Sequence, residues 1–242
     1  MHHTFTMVLQ DNLRRVEARI AEAALRVGRD PASITLVAVS KTHPVEAMLA
    51  AYECGVRHFG ENRVEEGGDK IPKFKQVIAD PAVRFHMIGH LQSRKAGEAV
   101  TLFDCIHSVD SVKLAERLDR LAAVQKKRLP ILIEVNVSGE ESKFGFDHAR
   151  RDEVFDEIET VAQLPNLRLD GLMTMAPIVA DPNEARPVFR GLRELRDALE
   201  VRYPALRLPH LSMGMTDDFE VAIEEGATRV RIGRAIFGER QG

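Results

Sequence analysis

The sequence predicts a (β/α)8 barrel (a TIM barrel) with an extra helix at its N-terminus. Three observations carry that expectation. Short apolar runs alternate with amphipathic stretches along the chain, the mark of βαβ units and a parallel sheet. Eight such runs fall within 242 residues, and a barrel of this kind needs roughly 250. Almost no chain follows the eighth run, so the usual last helix is missing or very short. A helix at the start of the chain can cover that gap.

The elements follow in order. Leu9, Leu13, Val16, Ile20, Ala23 and Val27 recur at steps of three or four, with Arg and Glu between them, which is a helix with one apolar face. Gly28 stops it. The candidate strands are 34–39, 56–59, 83–88, 103–107, 129–137, 167–172, 208–211 and 228–232. Between them, 44–54, 111–127, 147–163, 183–201 and 216–225 read as helices. The rival architecture is an open doubly wound sheet. Against it, Val39-Ser40-Lys41-Thr42-His43-Pro44 stands where a glycine-rich dinucleotide fingerprint would follow the first strand. There is no long Pro/Gly/Ser linker and no strong repeat, so residues 1–242 read as one domain.

Composition narrows the function. Lys and Arg total 34 against 37 Asp and Glu, a net charge of −3, which argues against an electrostatic grip on nucleic acid. Hydrophobic residues at 44% and charged residues at 29% fit a globular protein. No apolar run reaches the roughly 18 residues of a membrane span, and Met1-His2-His3 opens no hydrophobic leader. Cys54 and Cys105 form no CxxC pair, which excludes a disulfide scaffold and a four-cysteine zinc site. A cytoplasmic protein is expected. His86 and His90 are four apart but lack the Glu of an HExxH helix, so no metal site is expected there.

In a barrel, chemistry gathers where the strands end. The first strand closes on Ser40-Lys41. A lysine there is either an exposed strand-end cation or an amine that desolvation makes reactive toward a carbonyl. The seventh runs into Leu211-Ser212-Met213-Gly214-Met215-Thr216-Asp217-Asp218. Gly214 allows close backbone approach to an anion, and Thr216 can cap the next helix. An ordinary capped turn is the plainer reading. The eighth runs into Arg231-Ile232-Gly233-Arg234, another place where a phosphate can meet free N–H groups. Alternation puts Arg229 and Arg231 on one face, opposite Val230 and Ile232. Two glycine turns and one lysine would together hold a phosphorylated carbonyl compound, for which pyridoxal 5′-phosphate is the obvious candidate.

These strand ends resemble a known family. Leu36-Val37-Ala38-Val39-Ser40-Lys41-Thr42-His43-Pro44, Phe59-Gly60-Glu61-Asn62, His86-Met87-Ile88-Gly89-His90-Leu91-Gln92-Ser93, His107-Ser108-Val109-Asp110, Ser142-Lys143-Phe144-Gly145, Leu211-Ser212-Met213-Gly214-Met215 and Arg231-Ile232-Gly233 match it in order. The family is that of the pyridoxal phosphate homeostasis proteins, single-domain relatives of the alanine racemase N-terminal barrel. The resemblance implies an internal aldimine on Lys41. It implies phosphate contacts from Ser212, Gly214 and Gly233, with the backbone N–H of Arg234. It places Arg231 at the pyridine nitrogen and Asn62 beside the cofactor. Two positions depart from the pattern. Phe85 stands where the family often has Trp, and Arg234 where a Thr or Ser often follows the glycine.

Other residues read as scaffold. Lys143 lies in a polar loop and reads as a solvated lysine rather than a rival amine. Met173, Met175, Met213 and Met215 read as packing, and both cysteines as small buried hydrophobes. Two functions lead, a non-catalytic carrier that buffers and delivers pyridoxal phosphate and an amino-acid racemase or decarboxylase; a phosphate-binding barrel enzyme without pyridoxal is a weaker third. Racemisation needs a second base, a tyrosine in the related racemase. Tyr52 falls in a helix and Tyr203 ahead of the seventh strand, so neither is expected at the mouth. The carrier is therefore expected, as a monomer, with no catalytic residues, no metal, and apoenzymes that require the cofactor as recipients.

Overall fold

Each apolar run becomes a strand. The computed structural model describes residues 2–140 and 143–238. The order is α1 (His2–Arg26), β1 (Thr35–Val39), α2 (Val45–Glu53), β2 (His58–Glu61), α3 (Val64–Val77), β3 (Arg84–Met87), α4 (Ala96–Leu102), β4 (Cys105–Val109), α5 (Val112–Val124), β5 (Leu129–Asn136), β6 (Phe146–Asp147), α6 (Arg151–Ala162), β7 (Leu167–Met173), α7 (Arg186–Arg202), β8 (His210–Ser212), α8 (Phe219–Glu224), β9 (Arg229–Ile232) and α9 (Arg234–Phe237). Eight strands close into a parallel barrel, in the order β1-β2-β3-β4-β5-β7-β8-β9 and back to β1. Two-residue β6 pairs with the outer end of β5.

Closure brings the chain's ends together. β1 lies between β2 and β9, with Val37 opposite Arg231 and Ala38 opposite Ile232. The short last helix leaves that side of the barrel open, and α1 covers it. Leu9, Leu13, Val16 and Ile20 are buried. Asn12 donates to the Ile236 carbonyl at 2.9 Å, and Arg19 grips Glu220 of α8 at 2.9 and 3.1 Å.

Period-two alternation divides each strand. Ala38, Phe59, Phe85, Ile106, Leu211, Val230 and Ile232 join the apolar layer between sheet and helices. Phe85 packs edge-on to Phe74 and stacks on Phe59. The other face turns into the barrel and is strongly polar. His58, His86 and His107 hydrogen-bond to one another across it, beside Arg229 and Arg231.

The helices α3 and α4 lie in stretches left unread between the second and fourth runs. Gly67, Gly68 and Pro72 interrupt the apolar pattern of α3, and tertiary packing overrides their poor propensity. The last long helical stretch starts later than expected. Thr216 does not cap α8; that position belongs to Asp218, whose carboxylate instead ties the turn by accepting from Met215 N–H at 2.6 Å. Among the described residues no helix is long and apolar enough to cross a membrane.

Candidate functional site

Lys41 follows β1 after a single residue, Ser40, in a turn half-open to solvent. The next residue, Thr42, has φ +66°, an outlier for a β-branched side chain that surrounding structure must hold. A network missed at the level of sequence holds it. Lys70, buried on α3, donates to the carbonyls of Ser40 at 2.8 Å and His43 at 3.2 Å, on either side of Lys41. Its ammonium also meets Glu61 at 2.6 Å and Glu66 at 2.8 Å. Glu66 in turn accepts from the strained Thr42 N–H, and the Ser40 hydroxyl donates to Glu61 at 2.7 Å. Burial pushes the Glu61 carboxyl up, against the pull of Lys70. One signal was available: Lys70 falls in phase with Val64, Gly67, Ile71 and Phe74 on the buried face of α3.

β9 lies beside β1 and delivers Arg231. It is buried, donating to Ser212 Oγ at 2.8 Å and to the Thr174 carbonyl at 3.0 Å. Burial lowers its guanidinium to about 10, so it stays a cation at neutral pH. Gly233 begins the next turn against the end of β1: a Cβ there would lie 3.1 Å from the Val39 carbonyl oxygen. α9 opens at Arg234. The Arg234 side chain reaches across to Asp217 at 2.7 Å, linking the turns after β8 and β9.

β8 ends in Ser212, which is buried. Gly214 follows with φ +92°, and a Cβ there would sit 2.6 Å from Ala222 Cβ and 2.8 Å from Phe219 Cα. Only glycine fits that turn against α8. On the far side of β1, Asn62 follows β2. Its backbone presses on Gly89, where a Cβ would lie within 2.3 Å of the Asn62 carbonyl oxygen. A cleft lined by Asn62, Arg63, His90, Arg94 and Lys95 opens beside it. Lys41, Asn62, Ser212, Gly214, Arg231, Gly233 and Arg234 thus come from the ends of four adjacent strands, β8, β9, β1 and β2.

Glu134, on β5, faces the same interior. Burial pushes its carboxyl up to about 7, with Asp110 raising it further and Arg231 opposing. Its Oε2 is buried without a partner. A carboxyl whose folded pKa lies above its unfolded 4.5 contributes its full stability below that value and loses it as pH rises toward 7. Glu134→Gln is therefore expected to raise thermal stability at pH 8 and to leave it unchanged at pH 4. The gain is at most about 3 kcal/mol. Melting curves of both proteins at the two pH values check it.

The remaining expected positions resolve as follows. Lys143 is not a solvated lysine. It pairs with Glu140 at 2.7 Å and donates to Ser138 Oγ and the Met175 carbonyl at 3.2 Å, because its loop folds back over the barrel. Ser142, from the matching segment, lies outside the described residues. His90 pairs with Asp110 at 3.2 Å, away from His86. Tyr52 lies in the last turn of α2 and bonds Asp80 at 3.0 Å, while Tyr203 follows α7 and bonds Asp156 at 3.2 Å. Both lie where helices return to the starts of strands, the end of the barrel opposite Lys41. Donor atoms of His86, Cys105 and His107 lie within 4.8 Å of one another. However, Arg229 sits 3.4 Å from both Cys105 Sγ and His107 Nε2, a fixed cation where a metal would have to sit.

A parallel barrel whose candidate residues gather on the arc closed by its first and last strands defines a class. A family model described as alanine racemase, N-terminal domain, matches residues 11–241. The chain belongs to the pyridoxal phosphate homeostasis protein family. The protein of that name from Vibrio alginolyticus is 42% identical over 232 residues, 96% of this chain and 97% of that one. PipY of Synechococcus elongatus PCC7942, solved with pyridoxal phosphate bound, superposes with a TM-score of 0.78 at 40% identity, over 90% of this chain and 100% of that one. Alanine racemase of Clostridium difficile 630 shares the fold alone, with a TM-score of 0.72 at 16% identity.

Proposed function

We propose that this protein binds pyridoxal 5′-phosphate at the mouth of one barrel domain and serves its homeostasis by holding the cofactor and handing it on. The observation that carries the proposal is the arc itself: an amine, a buried cation and two glycine turns on adjacent strand ends. The residues suit the ligand. Lys41 offers the amine for its aldehyde. Ser212, Gly214, Gly233 and the Arg234 backbone N–H receive the phosphate, where fixed donors are strongest. Arg231 faces the ring nitrogen, and Asn62 lies along the ring. Lys70 holds both flanks of the Lys41 turn. The Arg234 side chain, engaged by Asp217, leaves the phosphate to its backbone. The protein acts as a cytoplasmic monomer, and apoenzymes that need the cofactor receive it.

When bound, the cofactor supplies an aldehyde and a ring that can draw electrons from an amino acid. The protein does little to use that capacity. A permanent cation at Arg231 keeps a ring nitrogen beside it unprotonated, which weakens the electron sink. Neither tyrosine stands at the mouth to act as a second base, and a positioned base contributes about 10²–10⁴-fold. The loaded protein, incubated with a panel of amino acids in deuterated water, is expected to exchange α-protons no faster than the free cofactor. Robust exchange that disappears in Lys41→Ala would make it an enzyme.

A further inference from the structure

A line of histidines that the binding role does not use runs through the barrel interior. His58 Nδ1 meets His86 Nε2 at 2.9 Å, His86 Nδ1 meets His107 Nε2 at 2.9 Å, and His107 Nδ1 meets Ser212 Oγ at 2.9 Å. Burial drives His86 and His107 well below the ordinary histidine range, and Arg229 adds repulsion. All three rings are neutral, so each has one donor and one acceptor nitrogen. Every link joins an Nδ1 to the next acceptor or donor, which leaves two consistent states. Either all three rings carry the proton on Nδ1, and the chain donates toward Ser212, or all carry it on Nε2, and Ser212 donates into the chain.

Arg229 decides between them. Its NH1 lies 3.4 Å from His107 Nε2, and a guanidinium can only donate. A proton on His107 Nε2 would lie against that guanidinium, so this nitrogen keeps its lone pair, shared between His86 Nδ1–H at 2.9 Å and Arg229, and the proton on Nδ1 goes to Ser212 Oγ. Arg231 NH1 donates to the same oxygen at 2.8 Å. Both lone pairs of the hydroxyl are then filled from inside the barrel, and its own proton needs an acceptor elsewhere. We infer that Arg229 and the histidine ladder act as a tautomer lock that commits Ser212 to donate its hydroxyl proton to a phosphate monoester at the mouth. The ligand is the one proposed above, and the inference rests on that reading. His107, His86, His58 and Arg229 are positioning residues, acting through Ser212. A ladder with a partner at each inner link suits this task because a buried chain with a missing bond would be costly.

The test has two parts. Long-range ¹H–¹⁵N spectra of the histidine side chains report the tautomer directly. The expected result is Nδ1–H at His86 and His107, without ligand and unchanged by pyridoxal phosphate. A proton on His107 Nε2 overturns the inference. The second part compares affinity for pyridoxal phosphate and for pyridoxal. Arg229→Met unlocks the ladder, lets Ser212 turn inward, and is expected to reduce the preference for the phosphorylated ligand about fivefold to tenfold, with Nε2–H signals appearing. Arg229→Lys, still a donor, keeps both the tautomer and the preference. If wild type shows no preference for the phosphorylated ligand, the phosphate site itself fails and the inference falls with it. A preference that survives in Arg229→Met overturns the lock alone. Should Arg229→Met not fold, the wild-type tautomer decides.

Discussion

Lys41→Ala is expected to abolish the near-ultraviolet and visible absorbance that pyridoxal phosphate acquires on the protein, together with the adduct trapped by borohydride. Only a neutral amine attacks an aldehyde, so the question is which lysine can offer one beside the phosphate turns. Lys70 cannot. Its side chain is buried on α3 and tied to two carboxylates and two carbonyls, so it is held away from the mouth. Lys143 is held by Glu140 and by two further oxygens. Lys41 follows β1, between Asn62 after β2 and Gly233 after β9. Because the proposed phosphate contacts lie on other strands, the variant should keep a weaker, non-covalent affinity for the cofactor, seen by equilibrium dialysis. Mass spectrometry of the reduced wild-type protein should place the adduct on Lys41. An adduct on Lys143 would remove Lys41 from the site.

Gly233→Val is expected to weaken pyridoxal phosphate binding about tenfold to a hundredfold, the worth of one or two charge-assisted N–H contacts. The new Cβ would lie 3.1 Å from the Val39 carbonyl oxygen and 3.4 Å from Val39 Cβ. Relieving it shifts the ends of β1 and β9 by a few tenths of an ångström and sets a branched side chain in the turn. The N–H groups after Gly233 would move away from the phosphate. Binding of unphosphorylated pyridoxal should fall much less, since it needs the amine and the ring contacts but not the cradle. Titrations of both ligands check this. Equal losses would mean that Gly233 does not face the phosphate, and that its role is to let two strands approach.

Much of the scaffold was legible along the chain. Eight apolar runs mark eight barrel strands because each strand lays one apolar face against the helices, which gathers branched and aromatic residues into a short stretch. The extra helix was legible from its apolar stripe of Leu9, Leu13, Val16 and Ile20, the face it buries on the barrel. Period-two alternation put Arg229 and Arg231 on one face, and that face proved to be the barrel interior. Propensity hid α3, where Gly67, Gly68 and Pro72 break the pattern of a helix that packing stabilises.

The sequence by itself determined the order of strands, the residues that end them, and so the chemical groups offered at the mouth. These depend on local pattern, which is written in neighbours along the chain. Tertiary structure alone decided which groups meet. Lys70 reaches the carbonyls around Lys41 from 30 residues away, and Arg231 reaches Ser212 from 19. The histidines of the ladder stand 28 and 21 residues apart. His86 and His90 stand four apart in sequence, yet His86 turns inward to the ladder while His90 meets Asp110. Alternation says which face a side chain takes, but not its height inside the barrel. That height is set by the stagger between strands, which comes from closing the sheet on itself, and no local pattern encodes it.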